Sequence, residues 1–150
     1  MKTILVTGGA GFIGSHTCLT LLENKFKIII ADSFQNSSPL ALEKVKFLLE
    51  KKLVNIKNKL RIYKGNLENL NFIEQIFKDV YLNEKIDAVI HFAGLKAVSE
   101  SVCNPLEYWE TNVIGSINLL KVMKKYNCNN LIFSSSATIY ANSGNPPFKE

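Results

Sequence analysis

The chain has 150 residues, of which 47% are hydrophobic and 21% are charged, and it carries a net charge of +5. This composition is typical of one soluble globular domain, and the apolar runs are too short to span a bilayer. The lysines are dispersed, which argues against a nucleic-acid surface. Glycines interrupt the first apolar stretch too early for a secretory signal. We therefore expect a cytoplasmic protein with no membrane or nucleic-acid partner.

The residues that could bind a metal or form a disulfide are scattered along the chain. They are Cys18, Cys103, Cys128, His16 and His91. Their spacing matches no metal-binding motif, and an odd number of cysteines does not make a closed disulfide set. We predict no metal site and expect these side chains to serve packing.

Short apolar runs alternate with helical patterns along the chain. The predicted strands are residues 3–6, 28–31, 60–63, 88–92 and 131–133, and the predicted helices are residues 12–22, 40–53, 71–82 and 105–126. The predicted loops are residues 33–39 and 141–147. The pattern of the second helix places Leu42, Val45, Leu49 and Leu53 on one buried face.

Apolar strands that alternate with helices indicate a parallel sheet covered by helices on both faces. Right-handed crossovers then favour a doubly wound α/β fold of the Rossmann type. We predict that residues 1–150 form one such domain, with a sheet of five strands.

The first predicted strand leads into a glycine-rich turn, residues 8–14, with the sequence GGAGFIG. The turn follows a strand and opens a helix, which is the context that a dinucleotide-binding motif requires. Glycines let the backbone approach a pyrophosphate closely, and free amides at the helix N-terminus bind its negative charge. A P-loop Lys-Ser/Thr does not follow the glycines, which argues against an NTPase.

Asp32 ends the second predicted strand, at the spacing where an acid binds the adenosine ribose hydroxyls. A carboxylate at this position disfavours a 2′-phosphate and therefore favours NAD over NADP. The alternative is that Asp32 only caps the strand end.

Three further loops follow predicted strands and should meet at the same edge of the sheet. They are residues 65–67, 92–96 and 134–136. Gly94 allows close approach of the backbone to a ligand, and Lys96 could meet a phosphate or a carboxylate. The serines at 134–136 would deliver hydroxyls to the cleft.

Three segments resemble the UDP-glucose 4-epimerases, a family of the extended short-chain dehydrogenase/reductase superfamily. They are TGGAGFIGSHT, HFAGLKAVSESVCNPLEYW and FSSSATIY. The resemblance covers all 150 residues and implies that they form the N-terminal portion of a longer protein. The second and third segments are closer to the epimerases than to nucleotide-sugar dehydratases, in which an acid follows the hydroxyl residue.

This resemblance implies tightly bound NAD, UDP-galactose and UDP-glucose as substrates, and a homodimer. In the family a tyrosinate removes the proton of the sugar 4-hydroxyl, and a hydride moves from carbon 4 to NAD. The keto sugar then rotates and takes the hydride back on its other face. Ser136 falls at the position of the serine that hydrogen-bonds the 4-oxygen.

The resemblance also implies a set of site residues. For the cofactor these are Gly8, Gly11, Phe12, Ile13, Gly14, Asp32, Ser33, Asn36, Ser37, Asn66, Leu67, Phe92, Ala93, Gly94, Lys96, Asn112 and Ser134. For the substrate they are Lys96, Ala97, Val98 and Ser136, of which Ser136 is catalytic. Asn66 stands where the family often has Asp, and either side chain can bond an adenine edge.

The family's catalytic Tyr-x-x-x-Lys lies beyond the serines, and the sequence ends before it. Tyr81 and Lys85 have the right spacing, but they precede the fourth strand and so lie at the wrong end of the sheet. We therefore expect the 150 residues alone to be inactive. Two alternatives stay open: a non-catalytic NAD-binding module, and a 4-epimerase for pentose or N-acetylhexosamine nucleotides.

Overall fold

The computed structural model describes residues 1–82 and 84–136, which form a parallel sheet of five strands. The strands are β1 (Thr3–Thr7), β2 (Lys27–Asp32), β3 (Leu60–Lys64), β4 (Ala88–His91) and β5 (Leu131–Phe133). Their order is β3-β2-β1-β4-β5, so the direction of winding reverses between β1 and β4. The predicted doubly wound α/β class is confirmed. The predicted loop 141–147 lies outside the described residues.

The helices are α1 (Phe12–Glu23), α2 (Pro39–Lys51), α3 (Leu70–Tyr81), α4 (Val98–Cys103), α5 (Pro105–Trp109) and α6 (Gly115–Lys125). The prediction missed α4, a six-residue helix that buries no side chain and so has no hydrophobic period. The long helix predicted over residues 105–126 is present as a continuous helical segment that ends at Lys125, and a π-helical turn over Glu110–Ile114 joins α5 to α6. No helix of the described ranges is long and apolar enough to cross a membrane.

The three inner strands, β2, β1 and β4, supply side chains to two hydrophobic layers, one on each face of the sheet, whereas the side chains of the edge strand β5 are exposed. Ile4 and Val6 of β1 pack in the layer that contains the buried residues of α1 and α2. Leu5, between them, packs in the opposite layer with α3 and α6. This alternation is the period of two that a strand buried on both faces requires.

Helix α2 buries three of the four leucine and valine side chains predicted for its face, namely Leu42, Val45 and Leu49. The placement of Leu53 on that face was wrong, because the helix ends at Lys51 and Leu53 is 93% exposed. Ser38 caps the helix start by accepting a hydrogen bond from the Leu40 amide at 3.3 Å. This cap fixes where the loop after β2 ends.

Candidate functional site

The loops after the strands line a single cleft of about 770 Å³ at the carboxyl edge of the sheet, where the winding reverses. The structure brings together here every residue predicted for the cofactor, and Ser136 with them. The predicted residues that line the cleft are Gly8, Gly11, Phe12, Ile13, Gly14, Asp32, Ser33, Asn36, Ser37, Asn66, Leu67, Phe92, Ala93, Gly94, Lys96, Asn112, Ser134 and Ser136.

Two residues predicted for the substrate, Ala97 and Val98, lie just beyond this lining. Ala97 precedes the first turn of α4, and Val98 is 78% exposed. The hydroxyl of Tyr108 accepts a hydrogen bond from the Ala97 amide at 3.1 Å and donates to the Ala97 carbonyl oxygen at 2.9 Å. Tyr108 therefore holds the backbone at the end of the cleft.

The glycine turn packs directly against the loop after β4. Gly8 has a φ of +68°, and a Cβ built there would lie 2.7 Å from the Ala93 nitrogen. A Cβ on Gly14 would overlap the Gly8 carbonyl oxygen. The turn therefore has no room for side chains at these two positions. Helix α1 starts without a side-chain cap, so its first-turn amides remain available to an anion.

We expect Gly8→Ala to lower the free energy of unfolding by about 2 kcal/mol, because alanine is strained at positive φ and its Cβ meets the Ala93 backbone. NAD affinity should fall as well, since both loops line the cleft. Urea denaturation and NAD titration of the variant measure these effects. Unchanged stability would mean that the turn can move away from Ala93.

Asp32 connects the glycine turn to the loop after β2. Its side chain is almost fully buried, with 6% of the residue exposed. Oδ2 accepts a hydrogen bond from the Ala10 amide at 2.8 Å. Oδ1 accepts from the Phe34 amide at 2.9 Å and from the Ser37 hydroxyl at 2.7 Å. The carboxylate thus caps the strand end and still lines the cleft.

The loop after β4 is held by Asn112 of the π-helical turn. The Asn112 Oδ1 accepts a hydrogen bond from the Leu95 amide at 2.8 Å, and its Nδ2 donates to the Leu95 carbonyl oxygen at 2.9 Å. On the other side, the Ser134 amide donates to the His91 carbonyl oxygen at 3.1 Å, which continues the pairing of β5 with β4. The loop after β4 and the serines after β5 therefore start from neighbouring, hydrogen-bonded strands.

Several residues outside the predicted set of site residues also line the cleft, among them Gln35, Glu68 and Thr111. Thr111 Oγ1 donates to the Glu68 carboxylate at 2.5 Å, and Gln35 Nε2 donates to Glu107 at 2.7 Å. Both pairs join segments that are far apart in sequence, so local patterns carry no signal for them. They link the segment from α5 to the π-helical turn with the loops after β2 and β3.

The remaining titratable side chains provide neither a reactive thiol nor a Tyr-Lys pair at the cleft, nor a metal site, in the part of the chain that the structure describes. Burial raises the pKa of the Cys18 thiol to about 12, and the Asp32 carboxylate adds to this effect, so the thiol stays protonated. Lys85 precedes β4 and lies 4.0 Å from Asp87, at the amino edge of the sheet, and neither Lys85 nor Tyr81 lines the cleft. Within residues 1–82 and 84–136, no group of His, Cys, Asp and Glu side chains could hold a metal ion.

Comparison with known proteins points to nucleotide-sugar enzymes. A family model described as GDP-mannose 4,6 dehydratase matches residues 5–150. UDP-glucose 4-epimerase 2 of Arabidopsis thaliana is 48% identical over 93% of the chain. A bifunctional UDP-glucose 4-epimerase and UDP-xylose 4-epimerase of Pisum sativum is 49% identical over 93%. The chain spans only 37% and 38% of the length of these two relatives.

A solved structure shows the same arrangement. The UDP-glucose 4-epimerase of Bifidobacterium longum, in complex with NAD+ and UDP, is 44% identical and superimposes with a TM-score of 0.87. The match covers 99% of this chain and 41% of that protein. The fold and sequence relationship therefore extend over nearly the whole of this chain.

Proposed function

Because the chain belongs to the family described as GDP-mannose 4,6 dehydratase, and its relatives include UDP-glucose 4-epimerases, we propose that its cleft binds NAD for nucleotide-sugar 4-epimerisation. The observation that carries this proposal is the placement of the glycine turn, Asp32 and the loop 92–96 on one cleft. UDP-galactose and UDP-glucose are the proposed substrates.

The shape of the cleft fits a dinucleotide. Neighbouring backbone atoms leave no space for a Cβ at Gly8 or Gly14, so the glycine turn packs tightly at the start of α1. The first-turn amides of Phe12, Ile13 and Gly14 would donate to the pyrophosphate oxygens, and the positive end of the helix would stabilise their charge. Asn66 and Leu67 would contact the adenine.

Asp32 would favour the adenosine ribose of NAD, which has a free 2′-hydroxyl, over that of NADP, which has a 2′-phosphate. Each carboxylate oxygen can accept about two hydrogen bonds. Oδ1 accepts two from the protein and Oδ2 accepts one, so Oδ2 retains capacity for a ribose hydroxyl. A 2′-phosphate would instead bring negative charge close to this carboxylate. We therefore assign NAD rather than NADP to the cleft.

When bound, NAD supplies a reversible acceptor for the hydrogen of sugar carbon 4. Ser136, in the segment that follows β5, would hydrogen-bond the 4-oxygen and orient it. Lys96 would bind the cofactor or a charged group of the substrate, and Ala97 and Val98 would approach the sugar. The homodimer remains a prediction from the family resemblance, and the cytoplasmic location remains a prediction from the amino-acid sequence.

Removal of the 4-hydroxyl proton needs a general base. The family resemblance assigns this role to a Tyr-x-x-x-Lys, and no such pattern follows Ser136 within the 150 residues, where Tyr140 is followed by Gly144 at the lysine position. A positioned base contributes roughly 10²- to 10⁴-fold to the rate. We propose that the 150 residues alone bind NAD but do not catalyse the epimerisation.

The expected result for the purified 150-residue chain is saturable binding of NAD, much weaker binding of NADP, and no conversion of UDP-galactose to UDP-glucose. Calorimetric titration measures the binding, and product analysis measures the conversion. UDP-xylose should be tested in parallel, because the relative from Pisum sativum is named as bifunctional. Conversion well above that of a Ser136→Ala control would contradict the proposal that the 150 residues alone bind NAD without catalysing the reaction.

A further inference from the structure

A buried histidine directly precedes the loop after β4, which lines the cleft. His91 ends β4 and is only 2% exposed. Its Nδ1 lies 2.5 Å from the Thr7 hydroxyl oxygen, and its Nε2 lies 2.9 Å from the Ser116 hydroxyl oxygen. The imidazole therefore connects the end of β1 with α6.

The neighbouring hydrogen bonds determine which ring nitrogen carries the proton. The Ser116 hydroxyl donates its single hydrogen to the Asn112 carbonyl oxygen at 2.6 Å. It must therefore accept from His91, which places the proton on Nε2. Nδ1 is then an acceptor and receives the hydrogen of the Thr7 hydroxyl. The imidazole is neutral and each of its nitrogens is paired.

Both ends of this chain of hydrogen bonds reach the loop after β4. Thr7 Oγ1 accepts from the Ala93 amide at 3.4 Å. At the other end, Ser116 bonds to the backbone of Asn112, and the Asn112 side chain holds the amide and carbonyl of Leu95. One imidazole thus supports the loop from two directions.

We propose that His91 is a positioning residue that holds the loop 93–96 in the shape that binds the cofactor. The inference rests on the proposed function in one respect, namely that NAD is the ligand of this loop. A loop that is already ordered binds more tightly, because the binding-competent fraction of the free protein is larger. His91 is not assigned any contact with the cofactor itself.

Thr7→Val and Ser116→Ala each remove one of the two hydroxyls and leave a ring nitrogen without its partner. We expect each variant to weaken NAD binding roughly tenfold, the size of effect typical of a lost buried hydrogen bond. Thr7→Ser, which retains the hydroxyl, should restore most of the affinity. Exchange of the Leu95 amide with solvent deuterium should accelerate in Ser116→Ala even without NAD.

Thr3→Val is the matched control for general destabilisation. Thr3 lies on the same strand as Thr7 and is equally buried, but its hydroxyl bonds Glu84 at the amino edge, at 2.9 Å. This variant should lose stability while its NAD affinity and Leu95 exchange stay as in the parent chain. Equal losses of affinity in Thr3→Val and Thr7→Val would overturn the positioning role.

The tautomer provides a readout that requires no cofactor. The chain has two histidines, so His16→Gln leaves His91 as a single imidazole for nitrogen NMR. A proton on Nε2 is expected, and a proton on Nδ1 would overturn the inference. If the parent chain fails to bind NAD, the proposed function fails, whereas the tautomer and Leu95 exchange still decide whether His91 orders the loop.

Discussion

We expect acidification from pH 6.5 to about 4 to lower the free energy of unfolding by ~3 kcal/mol through His91 alone. Burial lowers the pKa of His91 from its ordinary value of 6.5 to about 4. The unfolded chain therefore takes up a proton on this imidazole before the folded chain does. Stability contributed by His91 is complete above pH 6.5, falls as the pH decreases, and stops changing below about pH 4.

The surroundings of His91 explain why its charge is costly. The ring contacts the hydroxyls of Thr7 and Ser116 and packs against Phe133 at 5.4 Å between ring centroids. These groups bring no negative charge to an imidazolium. A proton on Nδ1 would also face the hydrogen of the Thr7 hydroxyl, so the hydrogen bond from Thr7 to Nδ1 would be lost.

Urea denaturation across this pH range, on the parent chain and on His91→Gln, measures the effect. The variant should have a lower free energy of unfolding than the parent chain near neutral pH, but this free energy should fall less on acidification. The difference between the two chains in the slope of the free energy of unfolding against pH gives the contribution of His91. A direct titration of the His91 ring by NMR in the His16→Gln background covers the case in which His91→Gln does not fold. A midpoint near 6.5 would contradict the account.

Asp32→Ala is expected to lower the free energy of unfolding by about 3 kcal/mol, because it leaves the Ala10 and Phe34 amides and the Ser37 hydroxyl without their acceptor. NAD affinity should fall too, and the preference for NAD over NADP should shrink, since the charge that disfavours a 2′-phosphate is gone. Denaturation and parallel titrations with NAD and NADP measure these effects.

Two further variants separate the structural role of Asp32 from its role in selecting the ribose. Ser37→Ala removes one of the three hydrogen bonds and keeps the charge, so it should cost about 1 kcal/mol and leave the NAD preference unchanged. Asp32→Asn removes the charge and keeps one accepting oxygen, so its stability should lie between those of the parent and Asp32→Ala. An Asp32→Ala chain that still rejects NADP would show that another group makes the selection.

Local sequence signals predicted the fold and much of the cleft. Strands that are buried on both faces are continuous apolar runs, which can be recognised from the sequence alone. The glycine turn and Asp32 can also be recognised, because one βαβ unit sets the spacing between them. The loops after β3, β4 and β5 could be placed together because parallel strands bring their carboxyl ends to the same edge. Their individual ligand roles remain predictions.

The remaining features depend on contacts between distant segments. Thr7, His91 and Ser116 belong to three separate elements, and neither composition nor periodicity relates them. The π-helical turn was missed because its sequence was interpreted with a constant helical pitch. A polar Asn112 in the middle of a helix was the available signal, since such a side chain commonly bonds a backbone group.

The most direct test of the account is an NMR titration of the 150-residue chain with NAD, in which backbone amide shifts are followed residue by residue. We expect the shifts to be concentrated at the carboxyl edge, in residues 8–14, Asp32 to Ser37 and 92–96, with little change at Lys27, Glu84 and Lys85 on the amino edge. Saturable shifts at the amino edge, or no saturable shifts with NAD, would contradict the assignment of this cleft.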